Sequence, residues 1–298
     1  MEEEHSQDLY CCLTALEVGE TSFELGYGIT LSSSYVHVMS NTMLAIKRPE
    51  KAGQHHPGPW VATGDGFGFD SNVVLHIPGT YKRKGMNSIE VAMQIAALLR
   101  LWVDPRIRLT LMSTGHPCEI TTPDGGSRVH VANAIEIQPW YFQLFPATDR
   151  DTMKDLRWIK EHWENALDLI QRSAAFSLGL EAIANAQRIH SPALGIVSVW
   201  AALESLFTGS TTELRFRVSI MIAAYLKPPG PDRVAEHKRV LKLYDARSAA
   251  AHGAPKHTRD DLLASLELLR KVLIRMVYQN KVPTKVDLES LLFGAEYS

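Results

Sequence analysis

The stretch LYDARSAAAHGAP, residues 243 to 255, sets Arg247 and His252 around four small residues, Ser248 to Ala251, and follows them at once with Gly253 and Pro255. Arginine and histidine are side chains with which a protein can handle a phosphate without a metal. A guanidinium offers paired donors to the oxygens, and an imidazole gains and loses a proton near neutral pH. The spacing alone proves little. With 18 arginines and 12 histidines in 298 residues, an Arg followed by a His after four to six residues is expected about twice by chance. It occurs three times: Arg48 to His55, Arg157 to His162, and Arg247 to His252.

Context separates the three. Arg48 and His55 span Pro49 and Gly53, a loop that has nothing to hold the two side chains together. Arg157 and His162 fall inside a charged amphipathic helix, where five residues amount to about 140° of rotation; they read as solvated surface. Arg247 and His252 differ because Gly253 and Pro255 end their helix there. His252 is placed in the last turn, a position the helix dipole favours for a cation. The small residues between leave room for a second chain or a ligand to come close. Glu204 sharpens the reading: it is the only formal charge from Ser191 to Thr212 and stands four residues after Trp200, on or beside an apolar stripe. Either it pairs with Arg247, because a buried carboxylate needs a partner, or it lies at the edge of the stripe and reaches water.

These residues sit in a chain with the composition of a folded protein, 45% hydrophobic and 21% charged. Cys11 and Cys12 are adjacent and Cys118 stands alone, which gives neither a disulfide framework nor a zinc spacing, so a reducing cytoplasm is expected. MEEEHSQD at the start is acidic where an export signal would be basic and then apolar. The longest weakly charged run, 191 to 208, reads as a buried helix rather than a membrane span. The net charge of −2 hides an asymmetry. Residues 1–150 hold 11 basic against 16 acidic residues, and 151–298 hold 20 against 17. Between Arg215 and Arg259 there are 10 basic residues and only Asp232, Glu236 and Asp245 as acids. That cluster is either a face for a polyanion or a set of solvated helix surfaces.

The elements that must position the motif are helical. In the first 140 residues SFELGYGITL, SYVHVMSNTMLAIK, NVVLHI, RIRLTLM and RVHVANAIEI alternate as strands do, with one helix, 87–102, capped by Asn87 or Ser88. TGDGFGFD (63–70) lacks the spacing of a phosphate-binding loop and reads as an ordinary turn or loop. QHHPGP (54–59) has two histidines and no further ligand, so no metal site is expected. After Pro146 the pattern turns helical: a helix from Asp149 or Asp151 that continues or breaks around Ser173 to Gly179, another from Ser191 and Pro192, one ending at Pro228, one ending at Gly253, and one from Thr258. The expected fold class is α+β. A mixed strand and helix region of unassigned role, 1–148, precedes an all-α bundle of four or five main helices, 149–298.

The runs VWAALESLF, RFRVSIMIAAYL and LKLYDARSAAAHG resemble the HEPN domain, and within it the ApeA-like group, over roughly residues 150 to 280. The resemblance implies a helical bundle whose Arg and His, here Arg247 and His252, cleave RNA without metal or cofactor. It also implies a homodimer in which two protomers meet at the motif. Ser248 departs from the Asn, Asp or His that often follows the arginine in active members. In such a reaction the substrate 2′-hydroxyl attacks the adjacent phosphate; His252 moves the proton, Arg247 binds the phosphate and Glu204 orients Arg247. Tyr244 and Ser248 are nearby hydroxyls, and Arg215 and Arg217 are further candidates to bind RNA. The expectation is therefore a cytoplasmic, metal-independent endoribonuclease, in phage defence or as a toxin with an antitoxin or regulatory partner, with no membrane association. The alternative is a non-catalytic module that binds RNA, a nucleotide or a partner protein. A third reading is a ligand sensor in which the N-terminal half controls the bundle.

Overall fold

The computed structural model describes residues 7–120, 132–146, 150–207, 214–253 and 257–294. An antiparallel sheet region is followed by a helical region, so the chain is α+β. The strands are β1 (Leu9–Thr14), β2 (Ser22–Gly26), β3 (Ile29–Ala45) and β4 (Trp60–Ile77). After helix α1 (Ser88–Trp102) come β5 (Leu109–Ser113), the single turn α2 (Pro117–Ile120) and β6 (Ala132–Ala134). Then follow α3 (Thr152–Arg172), α4 (Ala174–Asn185), α5 (Pro192–Phe207), α6 (Leu214–Leu226), α7 (Pro231–Ala251), α8 (Arg259–Gln279) and α9 (Lys285–Phe293).

The described strands form one sheet in the order β2-β3-β4-β1-β5-β6, each neighbour antiparallel. β2 and β3 are joined by a two-residue turn at Tyr27 and Gly28, both at positive φ, which matches the twist of the strands it connects. Register sets Leu31, Leu75, Cys11 and Met112 in one row across four strands, all buried. Alternation then sends Thr30, His76, Tyr10 and Ser113 to the other face. Cys11 and Cys12 are core thiols; burial pushes Cys12 up to about 12 and raises Cys11 too, so neither is a reactive thiolate.

One expectation changes. TGDGFGFD, read as a turn or loop, is strand: residues 66–70 of β4 pair with 37–41 of β3. At Gly68 a Cβ would come within 2.9 Å of the His37 ring, which would have to shift to admit one. Of RVHVANAIEI, the described part forms strand over Ala132–Ala134, and 128–131 lie outside the described residues.

Contacts gather the chain into two units, Met1–Arg83 with Ile107–Ile137, and Lys84–Arg106 with Gln138–Ser298. The second includes α1, which packs on α3, α4 and α8 although it lies within the segment expected to form the N-terminal region. Its apolar stripe, Val91, Ile95, Leu98, Leu99, is buried, and Asn87 and Glu90 close a reciprocal capping box at its start. In the same unit Ser173 ends α3 and caps α4, so the chain breaks there rather than continuing. α5 packs on α4, α7 and α8, with Trp200 fully buried and its Nε1–H donated to Ser265 at 3.1 Å. Among the described residues no helix is long and apolar enough to cross a membrane.

Candidate functional site

α5 and α7 carry the motif. Pro192 occupies the first turn of α5, where its missing N–H has no partner to lose, and an apolar stripe through Val199, Trp200, Leu203 and Leu206 buries one side. Glu204 sits beside that stripe with its side chain 17% exposed. α7 begins at Pro231 and runs without a break to Ala251; His252 caps it, its N–H donated to the Ser248 carbonyl at 3.2 Å, and Gly253 at φ 71° turns the chain away.

Arg247 reaches across to α5. Its Nη2 lies 3.0 Å from Glu204 Oε1 and 3.1 Å from Oε2, in a pair whose side chains are 24% and 17% exposed. The guanidinium also lies over the Tyr244 ring, 5.5 Å from its centroid, and that ring meets Trp200 edge-on at 5.1 Å. Burial and then the Glu204 charge hold the Tyr244 hydroxyl above its ordinary value, so it stays protonated and can only donate or accept a hydrogen bond. Arg247 Nε is buried and has no hydrogen-bond partner among the described residues.

The remaining candidates are divided. His252 is exposed, and because α7 is helical through Ala251 it stands about 140° around the axis from Arg247. Arg247 belongs to the inward stripe with Val240, Leu243 and Ala250, whereas Lys238, Lys242, Asp245 and His252 fall within an arc of about 80° on the outward side. Arg215 joins that outward side through a two-point contact with Asp245, Nε to Oδ1 at 2.6 Å and Nη2 to Oδ2 at 2.8 Å, which lowers the carboxyl and raises the guanidinium. Arg217 turns elsewhere, into a cleft of about 300 Å³ with Ser205, Phe207 and the α9 residues Lys285 and Glu289. Ser248 is half-buried beside Arg247. One chain therefore assembles Glu204, Arg247 and Tyr244, and leaves His252 and Arg217 apart.

His162 is not the solvated residue its helix pattern implied. Its ring stacks on Trp158 at 4.4 Å and on Tyr278 at 5.6 Å, and Nδ1 lies 2.8 Å from the Trp158 carbonyl. Sequence reasoning also passed over Arg100, Arg150 and Arg270, which converge on one cleft. A signal existed for the first: Arg100 interrupts the apolar run AALLRLW, the same anomaly that marks Glu204, and is 5% exposed. Among the described residues no three His, Cys, Asp or Glu side chains gather as a metal centre would need. Compared with known proteins, the chain matches no family model, no curated protein and no solved structure.

Proposed function

We propose that the helical unit is a HEPN-like module and that the protein is a metal-independent endoribonuclease whose working residues are Arg247, His252 and Glu204. The observation that supports this reading is the enclosed Glu204–Arg247 pair five residues before an exposed histidine at a helix end. The carboxylate holds the guanidinium, the group that would bind the phosphate, and the histidine at the surface is open to a ribose hydroxyl. Because Arg247 and His252 face apart on one helix, the complete site draws on two copies of the chain meeting at the ends of α7, in line with the dimer the sequence resemblance implies. The half-buried Ser248 and Ala249 permit such an approach.

A specific observation favours a second reading. The outward side of α7 presents Lys238, Lys242, Arg215 and His252 without Arg247, which is the layout of a surface that holds an RNA backbone and does no chemistry on it. The two readings part in one experiment. Purified protein incubated with single-stranded RNA in EDTA is expected to leave 2′,3′-cyclic phosphate or 3′-phosphate ends and to spare DNA, which has no 2′-hydroxyl. Light scattering is expected to give the mass of two chains at micromolar concentration. RNA that is bound and never cut, by a protein of one-chain mass, establishes the binding surface instead.

A further inference from the structure

Away from α5 and α7, the C-terminal end of α1, the segment 144–146 with Arg150 ahead of α3, the helix α4 and the first turns of α8 enclose a cleft of about 370 Å³. That volume lies at the small end of the range for small-molecule sites. Its lining carries three guanidiniums, Arg100, Arg150 and Arg270, and one carboxylate, Glu267, with Asp155 paired to Arg150 behind it. Arg150 spends Nε and Nη2 on Asp155 at 2.8 and 2.9 Å, which orients its guanidinium and leaves Nη1. Arg270 donates Nε to the Leu101 carbonyl at 2.7 Å, satisfying the end of α1, while its Nη1 stays 3.7 Å from Glu267, too far for a good hydrogen bond. Burial holds Arg270 below the ordinary arginine value, and the Arg150 charge pushes the same way. Glu267 and Asp155 offset part of this charge, and three guanidiniums against two carboxylates leave one positive charge in excess, which an incoming anion would meet.

The other wall is apolar. Leu144, Phe145, Ile183, Leu263 and Leu266 line it, and Phe145 stands 70% exposed at the mouth. The rim is held in place by Gln187, 2% exposed, which accepts the Leu144 N–H at 2.6 Å and donates to the Pro105 carbonyl at 2.7 Å. One apolar wall facing one cationic wall favours an organic anion over a bare inorganic ion, which would leave the apolar wall wet.

We propose that this cleft binds a small organic anion, its carboxylate or phosphate held by Arg150 and Arg270 and its apolar ring lying against Phe145, Leu144 and Leu266. The cleft shares no residue with the Glu204–Arg247 site, so its test stands apart from the ribonuclease reading. The full chain is titrated with benzoate, phenyl phosphate, inorganic phosphate and the neutral benzyl alcohol, followed by calorimetry and by the melting temperature. At least one of the two aromatic anions is expected to bind at least about tenfold more tightly than benzyl alcohol and than inorganic phosphate. The preferred anion identifies the head group. Glu267→Gln removes the opposing charge and is expected to tighten binding roughly three- to tenfold. A merely structural role for Glu267 would not produce that gain. Leu263→Trp, at a half-buried position that tolerates a larger ring, is expected to fill the cleft and abolish binding with the circular dichroism spectrum unchanged. Absence of aromatic-anion binding at tens of millimolar, equal binding of the neutral alcohol, or weaker binding to Glu267→Gln overturns the proposal.

Discussion

Arg157 with His162 and Arg247 with His252 share one spacing and lie on helices of 21 residues each, yet their histidines meet opposite surroundings. His162 sits in mid-helix, where α8 covers it; it lies between Trp158 and Tyr278, Trp102 extends the stack onto Trp158 at 4.0 Å, and its Nδ1–H donates to a backbone carbonyl. That hydrogen bond and two flat neighbours fix ring and tautomer, so the histidine packs and holds a structure. His252 stands where a helix stops, exposed, beside a glycine at positive φ. A group that must meet a substrate needs the second environment, and a group that stiffens a core needs the first. The two arginines contrast in the reverse sense: Arg247 is the enclosed one, locked to Glu204, and this is what makes its fixed donors useful to a phosphate.

The largest effect that can break this contrast is on RNA cleavage. His252→Ala is expected to cost at least about 100-fold in rate with RNA affinity nearly intact, the usual scale for a general acid or base, whereas Arg247→Ala weakens both. His162→Ala is expected to leave the rate per folded molecule unchanged. A rate that follows His162 and ignores His252 reverses the assignment. Next in size is Glu204→Gln, which leaves the Arg247 charge without its partner in a part-buried place. Urea melts are expected to show a loss of roughly 1 to 3 kcal/mol, with cleavage falling as well. Identical melts and cleavage would mean that the pair holds nothing in place.

A smaller effect separates the two histidines by stability alone. His162→Ala removes one ring from the stack and is expected to destabilise by about 1 kcal/mol, while the exposed His252→Ala leaves the thermal midpoint where it was. Equal midpoints for both variants would deny His162 its packing role. The smallest effect belongs to Arg215. Its pair with Asp245 is exposed, each side chain 55% accessible, so Arg215→Ala is expected to leave the melt nearly unchanged and to reduce the salt slope of RNA binding by about one. A clear drop in melting temperature would show that the pair clamps α6 to α7.

Most helix ends could be read from local chemistry. Asn87 with Glu90, Asp151, Ser173, Thr258 and Gly253 act within a few residues of where they stand, and the structure uses each of them as a cap or a stop. α9, capped by Thr284 and Asp287, was not anticipated although it carries the same signal, because it is short and mostly exposed. β4 was half legible. NVVLHI announces itself by its β-branched residues, but the glycines before it have no side chains to alternate, and only pairing with β3 makes them strand.

What the sequence by itself determined, then, is the change from strand to helix, the helix boundaries, and the oddity of a charge inside an apolar stripe at Glu204 and at Arg100. All of these depend on neighbours within one or two turns. What only the tertiary structure decided is direction. Arg247 turns inward to a residue 43 positions earlier, His252 turns outward from the same helix, and Arg100, Arg150 and Arg270 come from three distant segments to line one cleft. The physical reason is that an apolar stripe tells from sequence that a face will be covered, whereas which helix covers it, and which distant side chains that brings together, is a property of the packed chain.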